Sequence, residues 1–95
     1  MNSNYSLLFK EFSSVDVLFR QHGWRCFINE TERVAYTRDS FETEYFEVRK
    51  NKNGINYDVS FPLVNSNYQY KTTCSDALYT KNYISDKFMH YIMCN

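Results

Sequence analysis

Two stretches of helical period enclose a run of alternating ones. Between Tyr5 and His22 the apolar residues Leu8, Phe12, Val15 and Phe19 recur at intervals of four, three and four, with Lys10, Glu11, Asp16 and Arg20 elsewhere on the wheel. That spacing predicts an amphipathic helix, and Gly23 supplies a left-handed stop. Ser13-Ser14 ahead of Asp16 also offers a cap for a second short helix after a kink, but one helix is the simpler expectation. At the other end Ala77, Ile84, Phe88 and Tyr91 form one stripe, widened by Leu78 and Ile92, while Lys81, Asp86 and Lys87 face water. Thr73 and Asp76 stand three apart like a capping pair, with Ser75 as the competing cap.

Between the helices the period falls to two. Trp24, Cys26 and Ile28 alternate with Arg25, Phe27 and Asn29; after a turn through Glu30 to Glu32, Val34 and Tyr36 alternate with Ala35 and Thr37. A three-residue loop places Ile28 near Val34 and Cys26 near Tyr36 on one face. The strongest turn signal is Asn53-Gly54 within TEYFEVRKNKNGINYDVSFPL, residues 43–63. A two-residue type I′ loop there sets Val48 opposite Val59, Phe46 opposite Phe61 and Arg49 opposite Asp58. A four-residue loop from Asn51 to Gly54 would instead oppose Glu47 to Asp58, two like charges. Arg38 to Glu42 reads as a polar connection, Pro62 ends the strand that begins at Ile55, Val64 to Asn67 turns, and Tyr68 with Tyr70 opens a fifth, edge strand.

The order is helix, strands, helix, and it predicts a single α+β domain over 1–95: an N-terminal helix, a four- to five-stranded antiparallel meander, and a C-terminal helix. Two apolar helical stripes and one apolar sheet face pack most economically with both helices on one side of the sheet. The other side is left open. A chain of 95 residues buries only roughly 60–65% of its unfolded surface, enough for one core. With 19% aromatic residues and alanine only at Ala35 and Ala77, that core must be aromatic.

Charge excludes more than it suggests. Eleven basic and eleven acidic residues cancel, so no overall field draws nucleic acid or anionic lipid. No run approaches the ~20 apolar residues that span a bilayer, and the N-terminus lacks an export pattern, so the chain is expected in the cytoplasm. Cys26, Cys74 and Cys94 are odd in number and lack paired spacing, which predicts free thiols and a reducing compartment. His22 with Cys26, and His90 with Cys94, are each four apart, but the first pair straddles Gly23, so no metal site is expected. No third group orients a thiol nucleophile, and two glycines leave no phosphate-cradling loop. The expectation is no cofactor, no metal and no enzyme.

What remains is surface. The open face should display Arg25, Phe27, Thr37, Tyr45, Glu47, Arg49, Asn56, Asp58, Ser60, Gln69 and Lys71. Aromatics beside arginines suit a single-strand nucleic-acid platform, but Glu47 and Asp58 in its middle disfavour phosphate. Glu30, Glu32, Asp39, Glu42, Glu44 and Glu47 meet only Arg33 and Arg38 within 30–47, an acidic region suited to docking on a protein. The expected partner-binding set is Glu30, Glu32, Asp39, Glu42, Glu44, Tyr45, Glu47 and Arg49. The solvent face of the last helix and the edge at Tyr68 to Thr72 are the alternative interfaces.

In size, aromatic and asparagine bias, and lack of catalytic motifs, the chain is similar to the small accessory proteins that phages encode, including inhibitors of bacterial defence such as anti-CRISPR proteins. That resemblance implies a protein that modulates a larger host macromolecule in the host cytoplasm; a nucleic-acid-binding module on the open sheet face is the alternative reading of the residues, and a small enzyme the third. It carries over no particular residue.

Overall fold

A computed structural model describes residues 10–66 and 68–94. Leu8 and the other residues before Lys10 that the sequence assigns to the first helix, and Asn67 of the expected Val64 to Asn67 turn, lie outside them. The first described helix, α1, spans Ser13–Gln21. Lys10 and Glu11 are helical too, but the backbone breaks at Phe12 (φ −108°, ψ 28°), so the single helix expected across this point is corrected to a kinked one. Two consecutive serines are weak helix formers, and Phe12 is anchored by packing on Tyr57 with ring centroids 5.5 Å apart. Neither serine supplies a side-chain cap.

Gly23 stops α1 as its sequence predicts. Its φ is +81°, Trp24 N–H donates to Phe19 O at 3.0 Å and Gly23 N–H to Arg20 O at 3.1 Å. This is a Schellman closure, completed by the apolar contact of Trp24 with Phe19. Asp16 corrects the helical wheel. At four residues from both Phe12 and Arg20 it lies on the buried stripe, accepting the Tyr36 hydroxyl at 2.7 Å and Arg20 Nε at 3.0 Å. Burial, then this hydrogen bond to the carboxylate, raises the Tyr36 phenol well above its ordinary pKa.

The strands β1 (Arg25–Glu30), β2 (Arg33–Thr37), β3 (Tyr45–Lys50), β4 (Tyr57–Pro62) and β5 (Gln69–Cys74) form one antiparallel meander in chain order. In the first hairpin Glu30 pairs Arg33 and Ile28 pairs Ala35, whereas Cys26 pairs Tyr36. The three-residue loop is therefore corrected to two residues, Thr31 and Glu32. A bulge at Phe27 restores the expected pairing beyond it by absorbing the one-residue difference. Its consequence is that Ile28 leaves the core face for the open one.

In the central hairpin the expected register holds, with Val48 opposite Val59 and Arg49 opposite Asp58, and Phe46 stacks with Phe61 at 6.1 Å. The turn chemistry differs. Asn51 N–H donates to Asn56 O at 2.8 Å and Gly54 N–H to Asn51 O at 2.9 Å, leaving a loop of Lys52 to Ile55. That loop shares its centre with Asn53-Gly54, so the pairing survives. Only Gly54 takes positive φ, at +77°; Asn53 instead accepts the Ile55 and Asn56 N–H groups through Oδ1.

The last helix, α2, spans Ala77–Cys94. Its cap is Asp76, whose Oδ1 accepts Tyr79 N–H at 2.8 Å, while Thr73 remains in β5, so the Thr73 and Ser75 caps are corrected. Leu78 is exposed and Thr80 takes its place in the buried stripe with Ile84, Phe88 and Tyr91. Thr80 tolerates this because its hydroxyl donates to Asp76 O at 2.6 Å. Val15 and Phe19 of α1, Phe46 and Val59 of the sheet, and Ile84 and Phe88 of α2 belong to one buried cluster. Both helices thus cover the same face.

At Gly54 an added Cβ would meet nothing within 4 Å, so only the backbone resists substitution there. Gly54→Val is expected to lower stability by about 1–3 kcal/mol in urea unfolding. Unchanged stability would refute the left-handed role.

Candidate functional site

Registers define the open face. Arg33, Ala35 and Thr37 of β2 stand opposite Arg49, Glu47 and Tyr45 of β3, and Asp58 and Ser60 follow on β4. This face is less bare than its sequence suggests. Ala35, Thr37 and Ser60 are buried beneath longer neighbours, and Asn56 closes the hairpin loop ahead of β4 instead of standing on the strand. A shallow groove of about 370 Å³ crosses the face, lined by Arg33, Tyr45, Glu47, Arg49, Asp58 and Lys71 among others. Phe27, at the bulge, meets Tyr45 edge-to-face at 6.0 Å.

One end of this face is closed by a substitution of side chain for main chain. The Asn51–Asn56 bond makes Arg49–Asp58, Glu47–Ser60 and then Tyr45–Pro62 the hydrogen-bonded pairs of the β3–β4 ladder, since these recur every second residue. Pro62 has no N–H to give. Gln69, reaching across from β5, donates through Nε2 to Tyr45 O at 2.9 Å and to Ser60 Oγ at 2.9 Å, and accepts Tyr45 N–H at 3.4 Å. Its amide does the work of the missing peptide.

The acidic stretch 30–47 is largely paired. Arg33 Nη2 lies 3.1 Å from Glu47, Arg38 Nε 3.1 Å from Glu44 and Arg25 Nη1 3.6 Å from Glu42. Glu30 and Glu32 are exposed at the β1–β2 turn, and Arg49 is exposed on the open face. The expected single-sign patch is thus a mosaic of ion pairs. Arg38 also lies 5.4 Å from the ring centroids of both Trp24 and Tyr91, a clamp the sequence reading missed.

Between β2 and β3 the connection is built around Asp39. Its Oδ1 accepts Thr43 N–H at 3.2 Å and its Oδ2 accepts Glu44 N–H at 3.0 Å. Slight burial opposes its charge, but the backbone donors of Thr43, Glu44, Glu42 and Phe41 outweigh it and hold the carboxyl below its ordinary range. Thr37 Oγ1 donates to Glu44 O at 2.7 Å, and Glu42 is bent to φ +58°. The turn so fixed presents Phe41 at its tip, 84% exposed. The sequence marks this stretch as a polar connection within the acidic docking region but does not single out Phe41; an isolated phenylalanine between Asp39 and Glu42 was the available signal.

The His–Cys pairs do not converge. His22 packs against Phe88 at the end of α1, Cys26 Sγ donates to Ile28 O, and His90 and Cys94 lie 3.7 Å apart on exposed α2. Burial raises the Cys26 and Cys74 thiols above their ordinary pKa. Among the described residues no group of three or more His, Cys, Asp or Glu is arranged for a metal ion, and no helix is long and apolar enough to cross a membrane. Compared with known proteins, the chain matches no family model, no curated protein and no solved structure.

Gln69→Leu keeps side-chain bulk but orphans both Tyr45 backbone groups, and is expected to cost about 1–3 kcal/mol in urea unfolding, with faster amide exchange at Tyr45. Asp39 has a folded pKa below its unfolded one, so its contribution is full above the ordinary carboxylate range and fades as pH falls through the depressed value. Asp39→Asn is therefore expected to flatten the loss of thermal stability below about pH 4; an unaltered acid limb would contradict the assignment.

Proposed function

We propose that this chain is a small non-enzymatic binding protein that docks a protein partner through the 38–44 turn and the adjoining end of the open sheet face. The observation that carries this is Phe41, a large apolar side chain held out to solvent on a turn that Asp39, Thr37 and Arg38 make rigid. An anchor presented without ordering cost is what a protein interface uses well. Phe27 and Tyr45 add aromatic surface on the open face, and Glu42 and Glu44 supply an acidic rim.

The partner that fits is a protein with an apolar pocket edged by basic residues. The Arg25–Glu42 and Arg38–Glu44 pairs are solvent-exposed on both sides, and exposed pairs are worth about 0–1 kcal/mol each. A partner's basic groups can therefore compete for the carboxylates at little cost. Of the expected binding residues, Asp39 serves the turn's conformation, whereas Glu42, Glu44 and Tyr45 adjoin Phe41 in sequence. Nucleic acid fits less well, because Glu47 and Asp58 line the groove. Modulation of a larger host complex, as by phage-type accessory proteins, is the biological setting we propose.

A photo-crosslinking residue at position 41, in cells that express the chain natively, is expected to capture a protein identifiable by mass spectrometry. Phe41→Ala with Tyr45→Ala should then weaken binding by about 2–4 kcal/mol in calorimetry. Phe41→Ala alone should leave the melting temperature nearly unchanged, since surface truncations usually change stability by less than about 0.5 kcal/mol. Undiminished affinity in the double variant would place the interface elsewhere.

A further inference from the structure

The two edges of the sheet are unlike. β1 carries the bulge at Phe27, which spoils it as a template. β5 pairs with β4 without a break from Tyr57–Cys74 to Pro62–Gln69, and it contains neither proline nor glycine. Leu63 N–H donates to Tyr68 O at 3.2 Å, so by alternation Tyr70, Thr72 and Cys74 direct their main-chain groups to β4. Gln69, Lys71 and Thr73 direct theirs outward.

We propose that β5 pairs antiparallel with β5 of a second copy, about a two-fold axis at Thr72, making one continuous ten-stranded sheet. Lys71 then exchanges both main-chain bonds with Thr73 of the other copy, and the two Thr72 residues form the close, non-hydrogen-bonded pair on the axis. An axis at Lys71 is disfavoured because it sets two ammonium groups directly opposite.

Charge complementarity selects a second copy as the occupant. Lys71 of one chain falls in the same cross-strand row as Thr73 and Asp58 of the other, and Thr73 Oγ1 already donates to Asp58 Oδ1 at 3.0 Å. Two strand spacings separate the lysine and aspartate backbones by about 10 Å, which their side chains together span. The two-fold makes this ion pair twice. Exposed Tyr70 stands on the core side of the same edge, packed on Phe61 at 5.4 Å, and pairing would bring it over Cys74 of the other copy.

Sedimentation velocity over a concentration series tests the association, and a disulfide trap tests the register. In a Cys94→Ser background, Thr72→Cys places two thiols on the axis at about 4.5 Å between Cα atoms, within disulfide range. It should form a covalent dimer at least about ten-fold faster than Lys71→Cys, whose nearest cross-strand neighbour is Thr73. Lys71→Asp should raise the dimer dissociation constant about ten-fold or more, and Lys71→Asp with Asp58→Lys should recover it. Circular dichroism confirms that each variant is folded. A wild-type chain monomeric to about 1 mM, equal trapping at positions 71 and 72, or no recovery in the swapped pair would overturn the proposal.

Discussion

Everything in this fold meets at one aromatic junction. Phe19 from α1 lies 4.2 Å from Phe88 of α2, 4.4 Å from Tyr36 of β2 and 5.4 Å from Phe46 of β3, centroid to centroid. Phe46 in turn contacts Trp24, Phe88 and Tyr91. A chain this small cannot supply many aliphatic layers, so a few large rings bury the needed area and their geometry fixes how the helices sit. Tyr36 brings a hydroxyl into that junction, and Asp16 with Arg20 answers it. The polar triad is thus a consequence of the aromatic core, because a buried phenol without a partner is costly.

The same junction stiffens the candidate site. Trp24 and Tyr91, both core residues, also hold the Arg38 guanidinium, which pairs with Glu44 in the 38–44 turn. The turn is therefore attached to the core through Arg38 and to β2 through Thr37, and Asp39 closes it from within. Phe41 is exposed because its neighbours are committed elsewhere. Met93, Tyr68 and Leu78 are exposed as well; what sets Phe41 apart is the hydrogen-bonded turn beneath it, and that is the ground of the proposal made for it.

Pro62 and Gln69 illustrate how a strand can end without leaving an orphan. Proline stops β4 from donating to β3, which would expose Tyr45 on its inner side. The Gln69 amide satisfies both Tyr45 main-chain groups and Ser60 together. Tyr45 is thereby held on the open face beside Phe27, with its position set from two strands away.

What the sequence alone determined follows from periodicity and local backbone chemistry. The five strands, the central register, the Gly23 stop and the common side of both helices were legible, because alternation and a few special residues decide them locally. The register survived a wrong turn type since both loops share a centre. Tertiary structure decided the rest. Whether Asp16 faces water depended on Tyr36, twenty positions away, and whether Thr80 or Leu78 entered the core depended on what the sheet offered to α2. The bulge at Phe27 reconciles a two-residue turn with the pairing beyond it, which no local pattern announces. The acidic stretch was visible as composition, but its pairing with Arg25, Arg33 and Arg38 and the exposure of Phe41 exist only once distant strands are adjacent, because charge and solvent contact are properties of neighbours in space.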